Sequence, residues 1–439
     1  MLLGFSVANF RSFKDKATLS LLPAPAKGAN PAVDARAVAP GRSETGGLDV
    51  LKLALVYGPN ASGKSNLIAA LRVMQDLVLH SVRRLGAHED LRLEPFRLNP
   101  RTAQEASELE VVFVHAGTRY RYGFRAGRRA IEAEWLYHVP HQREVLLFQR
   151  TGQDFQVRPT FSRSKTLADK TVPNALFLSV AAQFNNAIAE RICQWFESAL
   201  TFIALENALG FLAENRLQNI SAHCLQDEEK THLRARVIEL LRRADLGIEG
   251  FAARQEEVEF PPEIAALRPF MELVGFDEVW DIQTRHPVWN DEGTRLETDE
   301  IFNLREQESA GTRRLFSLAG PIADVLYTGG LLATDELDNR LHPLLARAVI
   351  ELFLDPATNP RHAQLLVATH EDDLLDPELL RRDQIWLTEK DRFGATHLYC
   401  LAELGGVRKK EAFREAYLRG RYGAVPLLRG GLLVPEIAE

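Results

Sequence analysis

Eight consecutive residues, Gly58-Pro59-Asn60-Ala61-Ser62-Gly63-Lys64-Ser65, carry the most specific chemistry in the chain. Glycines at this spacing let backbone N–H groups converge on phosphate oxygens, and a helix beginning near Lys64 would offer its electropositive end to the same anion. Lys64 is placed to neutralise the β- and γ-phosphates of a nucleotide, and the Ser65 hydroxyl to ligate Mg2+. Asn60, Ser62, Gly63 and the following Asn66 belong to the same nucleotide-holding stretch. Far downstream, Leu331-Leu332-Ala333-Thr334-Asp335-Glu336 is an apolar run ending in two carboxylates. Asp335 at such a strand end can reach a magnesium ion, and Glu336 can polarise an attacking water. A third apolar run, Val367-Ala368-Thr369, ends in His370, which is placed to sense a terminal phosphate. A fourth segment, Glu308-Ser309-Ala310-Gly311-Thr312, opens a helix: Ser309 can cap it and Gly311 can let backbone approach an anion. A plain helix cap accounts for that segment equally well.

These residues need strands and helices to hold them. Leu51–Tyr57 reads as a short buried strand feeding the glycine loop, the context the phosphate-binding mechanism requires. Leu3, Phe5 and Val7 alternate with polar or small residues as an opening strand, followed by a turn with Phe10 and Phe13. The Pro/Ala/Gly-rich stretch from Leu22 to Gly47 reads as a loop. Leu109–Val114, Tyr120–Phe124, Ile131–Val139 and Val145–Gln149 predict an antiparallel meander. From Asn186 to Leu246 the period is helical, with Ile188, Ile192, Trp195 and Phe196 on one stripe. From Glu308 onward the order is helix, strand Gly330–Thr334, helix Pro343–Leu354, strand Gln364–Thr369, which indicates a parallel sheet flanked by helices. His342-Pro343 marks a helix start. The expected divisions are 1–107, an N-terminal core portion; 108–160, an antiparallel β subdomain; 161–300, a mainly helical insertion; and 301–439, the returning core and a C-terminal tail.

The 439 residues, 46% hydrophobic and 26% charged, supply a large core and exclude a disordered tail, a collagen-like rod or a disulfide-stapled scaffold. A formal charge of −7 gives no global attraction to nucleic acid. Cys193, Cys224 and Cys400 are odd in number and far apart, which argues for buried thiols in a reducing compartment rather than a disulfide or zinc framework. No run of eighteen apolar residues spans a membrane and no signal peptide opens the chain, so a soluble cytoplasmic protein without a membrane partner is expected. Arg119, Arg121, Arg125, Arg128 and Arg129, interleaved with Tyr120 and Tyr122, form a basic hairpin that can either touch DNA phosphates or serve as the solvated face of a sheet. Arg313-Arg314, Arg381-Arg382 and Arg408-Lys409-Lys410 read as solvated charges.

In this order the four elements resemble the ABC-type ATPase head shared by SMC, RecF and the repair ATPases. The resemblance implies an α/β fold: a split P-loop ABC-ATPase head with an antiparallel β subdomain and an inserted helical subdomain. It makes Gly58–Ser65 the Walker A loop, Ser309-Ala310-Gly311 a degenerate signature, Asp335 and Glu336 the Walker B pair, Leu337-Asp338-Asn339 the D-loop and His370 the switch. Asn9-Phe10-Arg11-Ser12-Phe13 looks like the strand-turn of RecF-like heads, which brings Arg11 toward phosphate. Gln183 is the candidate Q-loop glutamine and third metal contact, although a structural glutamine fits as well. The segments Phe5–Phe13, Asn174–Val180, Leu374–Trp386 and Gly420–Pro426 resemble the AAA-type ATPases of abortive-infection operons, the AbiL/RloA group.

The resemblance implies ATP and Mg2+ as cofactors and a head-to-head homodimer enclosing two ATP molecules, with higher oligomers open. Ser309 and Gly311 of one subunit would complete the γ-phosphate site of the other. The signature departs from the usual Leu-Ser-Gly-Gly-Gln form. Only 69 residues follow His370, too few for the nuclease domain of OLD-type proteins, so a separately encoded effector, a nuclease or toxin, is the expected partner. The alternative is a RecF/SMC-like DNA-binding ATPase of repair or recombination. An ABC transporter subunit fits poorly, because the insertion between Walker A and the signature is too long.

Overall fold

The computed structural model describes residues 1–25, 31–41, 47–84, 90–91, 93–140, 143–162, 166–203, 210–226, 231–243, 247–256, 279–339, 341–408 and 411–426. Lys409, Lys410 and parts of the stretches 22–47, 186–246 and 161–300 lie outside them. The chain divides into two units: Met1–Ser198 with Leu366–Glu439, and Ala199–Leu365. Among the described residues, no helix is long and apolar enough to cross a membrane.

The first unit begins with strands β1 (Leu2–Ala8) and β2 (Ala17–Ser20), helix α1 (Pro31–Ala37) and the two-residue strands β3 (Val38–Ala39) and β4 (Val50–Leu51). Strand β5 (Leu53–Tyr57) and helix α2 (Lys64–Arg84) follow. The meander is β6 (Ser107–His115), β7 (Thr118–Ala126), β8 (Ile131–Val139), β9 (Val145–Thr151) and β10 (Asp154–Val157). Helices α3 (Thr166–Asp169), α4 (Phe177–Gln183) and α5 (Ala187–Ser198) close this portion. The meander strands and the opening strand form one antiparallel sheet, ordered β10-β9-β8-β7-β6-β1-β2. Its register, Val7 opposite Leu109 and Phe113 opposite Tyr120, puts alternate apolar side chains on one face. That face receives the apolar stripe of α5, where Phe113 stacks on Trp195 at 3.9 Å and Tyr122 meets Phe196 edge-on at 6.1 Å.

The stretch expected to be a featureless loop carries α1. Val33 and Ala37 bury one side of it in the core, and Asp34 pairs with Arg381. Arg381, which reads as a solvated charge in the sequence, is therefore half-sequestered between Asp34 and Asp383.

The second unit holds β11 (Leu200–Ile203), helices α6 (Gly210–Gln226) and α7 (Thr231–Arg243), and strands β12 (Gly250–Glu256), β13 (Val279–Trp289) and β14 (Arg295–Asn303). These are followed by α8 (Ala310–Thr328), β15 (Leu331–Asp335), α9 (Pro343–Leu354) and β16 (Gln364–Ala368). Strands β12, β13 and β14 form an antiparallel sheet within the stretch expected to be mainly helical. Strands β11, β15 and β16 are neighbours in that order, with β11 parallel to β15. Helix α8 contains Pro321, which cannot donate to the helical ladder. One residue earlier the Ser221 hydroxyl of α6 accepts the Gly320 N–H at 2.9 Å and donates to the Phe316 carbonyl at 2.6 Å. These are the two groups an unbroken turn would join to each other, so a side chain is spliced into the helix.

The chain returns to the first unit within β16. Strands β17 (Ile385–Lys390) and β18 (Thr396–Cys400) and helix α10 (Phe413–Leu418) follow. The order there is β16-β5-β17-β18, with β17 parallel to β5 and antiparallel to β18. The tail from Arg419 to Pro426 returns to this core: Tyr422 and Ala424 are buried, and Ala424 accepts from the Tyr417 hydroxyl at 2.9 Å.

Candidate functional site

Every side chain of β5 is buried, which fixes the strand that delivers the glycine loop. The loop then bends through backbone that only glycine adopts easily: φ is +153° at Gly58 and +114° at Gly63. A Cβ on Gly58 would lie 2.3 Å from the Thr388 carbonyl, and one on Gly63 would lie 2.4 Å from the Thr396 hydroxyl. The loop is thus pressed against β17 and β18. The Ser62 hydroxyl shares a 2.7 Å hydrogen bond with Thr388, whose hydroxyl also donates to the Tyr57 carbonyl at 3.1 Å. The Thr396 hydroxyl lies 2.6 Å from the Ser62 carbonyl and 2.8 Å from Ser12 Oγ. Lys64 begins α2 and is buried, its ammonium donating to the Gly58 and Pro59 carbonyls at 2.9 and 3.2 Å. This ammonium is folded back onto the loop at the N-terminal end of α2, where the first-turn N–H groups have no partner within the helix. A polyphosphate fits this cradle, and Ser65, partly exposed in the first turn, fits a hydroxyl ligand of Mg2+. Thr388, Thr396 and Ser12 are positioning residues that the sequence reading missed.

The turn after β1 lies beside the cradle. Asn9 and Arg11 both adopt left-handed backbone, at φ 48° and 49°. Asn9 sustains this by donating to the Thr102 and Glu105 carbonyls and accepting the Phe96 N–H. Phe10 and Phe13 are buried, and Arg11 is exposed. Its guanidinium pairs with Glu94 at 3.1 Å and stands 3.5 Å from the Asn66 side-chain oxygen in the first turn of α2. The Thr369 N–H donates to the Val56 carbonyl at 3.1 Å, so His370 follows a strand end that is level with the end of β5. His370 is exposed, and Asp372 and Asp373 just after it are held by Arg414 at 2.9 and 2.8 Å.

Gln183 is the exposed last residue of α4. The other end of α4 is anchored by a carboxylate with no exposure. Glu134 accepts the Phe177 and Leu178 N–H groups at 2.7 and 2.9 Å and the Tyr122 hydroxyl at 3.0 Å. Arg150, equally buried, stands 3.6 Å away and donates to the Ala175 and Pro173 carbonyls. Burial pushes the Glu134 carboxyl up against the pull of Arg150, and burial likewise pushes the Arg150 guanidinium down. The thiols of Cys193 and Cys400 are each pushed up to about 12 by burial, which disfavours the thiolate.

In the second unit, Asp335 ends β15 and is 6% exposed. Glu336 follows in left-handed backbone, φ 50°, a conformation that costs a non-glycine residue of order 1 kcal/mol or more. Asn339 secures it by donating its N–H to the Glu336 carbonyl and its side-chain amide to the carboxylate at 3.1 Å. Asp338 lies in the same turn, its carbonyl accepting the Leu341 N–H. Ser309 is the N-cap of α8, accepting the Thr312 N–H at 3.1 Å, with Gly311 in the first turn. The preceding Glu308 is held by His286 at 2.7 Å and by Thr284. Arg11, Asn66, the glycine loop, Gln183 and His370 therefore belong to the first unit. Asp335, Glu336, Asp338, Ser309 and Gly311 belong to the second.

The basic hairpin is the outward face of β7 together with the turn after it, which carries Arg128 and Arg129. Arg121 is shared between Glu110 and Glu144, Arg125 faces Glu132, and Arg128 and Arg129 both hold Asp90. The Glu144 and Asp90 carboxyls are held below their ordinary range, chiefly by hydrogen bonds from Arg121 and Arg128. These carboxylates offset much of the hairpin's charge, as a solvated sheet face does.

A buried strand, a glycine cradle with a folded-over lysine, and a helix starting at that lysine define a P-loop ATPase domain. Residues 53–376 match the family described as "AAA domain, putative AbiEii toxin, Type IV TA system", and the chain belongs to that family. Among solved structures, the chain is similar to the SMC head domain from Thermotoga maritima, at 15% identity and TM-score 0.38, covering 91% of this chain and 98% of that one. It is also similar to an SMC head bound to the C-winged helix domain of ScpA, at 13% identity and TM-score 0.37, covering 91% and 97%. No curated protein gives a significant match.

Proposed function

We propose that this protein is a Mg2+-dependent ATPase that dimerises around ATP and thereby regulates a separately encoded effector, a nuclease or toxin, in anti-phage abortive infection. The observation that carries the reading is the cradle itself, with the Lys64 ammonium held by the Gly58 and Pro59 carbonyls at the start of α2. The family's description as a putative toxin of a type IV toxin–antitoxin system supports the defence setting, and the separate effector is this reading's own addition.

In this reading Gly58, Asn60, Ser62 and Gly63 present backbone to the phosphates, Lys64 neutralises the β- and γ-phosphates, and Arg11 and Asn66 flank them. Ser65, Asp335 and Gln183 would hold magnesium, which would supply positive charge to offset that of the phosphates. Glu336 orients the water that attacks the γ-phosphorus, and His370 contacts the γ-phosphoryl oxygens. The bond from the γ-phosphorus to the bridging oxygen breaks, leaving ADP and phosphate. Ser309 and Gly311, with the D-loop Asp338, serve the nucleotide of the second subunit. Loss of the γ-phosphate removes the contacts that join the subunits.

Glu336→Gln removes the charge that activates water while leaving the phosphate cradle intact. Size-exclusion chromatography with light scattering should show this variant as an ATP-dependent dimer, whereas Lys64→Ala should stay monomeric with ATP. A Glu336→Gln protein whose mass does not change with ATP would sink the dimer mechanism.

A further inference from the structure

Arg11 is tied to one residue twice. Its backbone N–H donates to the Glu94 carbonyl at 2.7 Å, and its guanidinium pairs with the Glu94 carboxylate at 3.1 Å. The same guanidinium stands 3.5 Å from Asn66 in the first turn of the phosphate-loop helix, where an anion would be drawn. From there a chain of hydrogen bonds runs to the loop itself. Asn66 donates to Ser12 Oγ at 2.7 Å, Ser12 shares a 2.8 Å bond with Thr396, and Thr396 meets the Ser62 carbonyl at 2.6 Å. Glu94 is half exposed and also lines a cavity of about 700 Å³ whose wall includes Arg97 and Arg128. Its carboxylate therefore has room to leave Arg11, toward a wall that carries Arg97 and where Arg128 holds Asp90.

We propose that Glu94 is a positioning residue that tunes nucleotide affinity by competing with bound phosphate for Arg11. This rests on the reading of Gly58–Ser65 as the nucleotide site. One cation faces two anions: with Glu94 engaged, Arg11 is neutralised at the edge of the cradle. When polyphosphate occupies the cradle, Arg11 turns to it and Glu94 swings toward the cavity. The acid thus sets a threshold, weakening binding by the free energy needed to exchange partners. An exposed pair of this kind is worth little, which limits the effect to roughly two- to fivefold in affinity.

The test is a titration of full-length protein with N-methylanthraniloyl-ATP and Mg2+, followed by fluorescence. Glu94→Gln should lower Kd by roughly two- to fivefold and Arg11→Gln should raise it. In the Arg11→Gln background, Glu94→Gln should change nothing, because the acid acts only through the arginine. Weaker or unchanged binding by Glu94→Gln, or an equal gain in both backgrounds, would overturn the proposal, the second by showing plain repulsion of phosphate. Lys64→Ala is the control on the underlying reading. If it binds as the wild type does, or if the wild type does not bind, the nucleotide site is wrong and the proposal falls with it.

Discussion

At the scale of single residues, the phosphate loop is legible because its requirements are local. Two glycines, a lysine and a serine within eight positions specify the turn and the charge without help from the rest of the fold. The groups that brace the loop have no such signature. Thr388 reaches Ser62 across 326 positions of sequence and Thr396 reaches Ser12 across 384, and a threonine in a strand carries no sign of its partner. Replacing Thr388 by valine keeps the shape and deletes a hydroxyl shared between Ser62 and the Tyr57 carbonyl. Leaving buried polar atoms unmatched there should cost about 1–3 kcal/mol in urea unfolding and weaken nucleotide binding in the same variant. Unchanged affinity together with unchanged stability would show that the bracing is incidental.

At the scale of elements, the meander strands β6 to β9 and the helices α5, α8 and α9 follow from the pattern of apolar residues along the chain. What escaped was structure whose burial is irregular or whose composition points elsewhere. Helix α1 is built from proline and alanines in a stretch that reads as a loop, and its anchor is the ion pair between Asp34 and Arg381. Sheet β12–β14 presents a long exposed hairpin, with Trp289 57% exposed, so the alternation that marks a half-buried strand is blurred. Helix α8 shows its apolar pattern openly but hides its irregularity, since Ser221 comes from another helix. At Gly320 an added Cβ would lie 2.6 Å from Ser221 Cα and 2.8 Å from its nitrogen, both backbone atoms that cannot swing aside. Gly320→Ala should therefore destabilise the protein by about 1–3 kcal/mol, read as a lowered midpoint in urea. A variant as stable as the parent would mean that the two helices separate without cost.

At the scale of the molecule, composition and charge exclude classes of protein but do not reveal the path of the chain. Strand β5 carries the phosphate loop near the N-terminal end of the sequence, and its parallel neighbour β17 begins at Ile385. A chain stopped after Leu365 would keep the whole motif and lose both strands that brace it. Such a truncation should bind N-methylanthraniloyl-ATP no better than full-length Lys64→Ala. Binding at the parental level would show that the loop stands on local conformation alone. The same wide separation slows folding, because closing so long a loop must precede the contacts that reward it.

That separation also orders events during synthesis. A ribosome will have polymerised the Walker segment and more than three hundred further residues before the threonines that shape it emerge from the exit tunnel. Nascent chains should accordingly be blind to cellular ATP. A companion protein that recognises only the loaded form would then meet finished molecules and ignore every unfinished one.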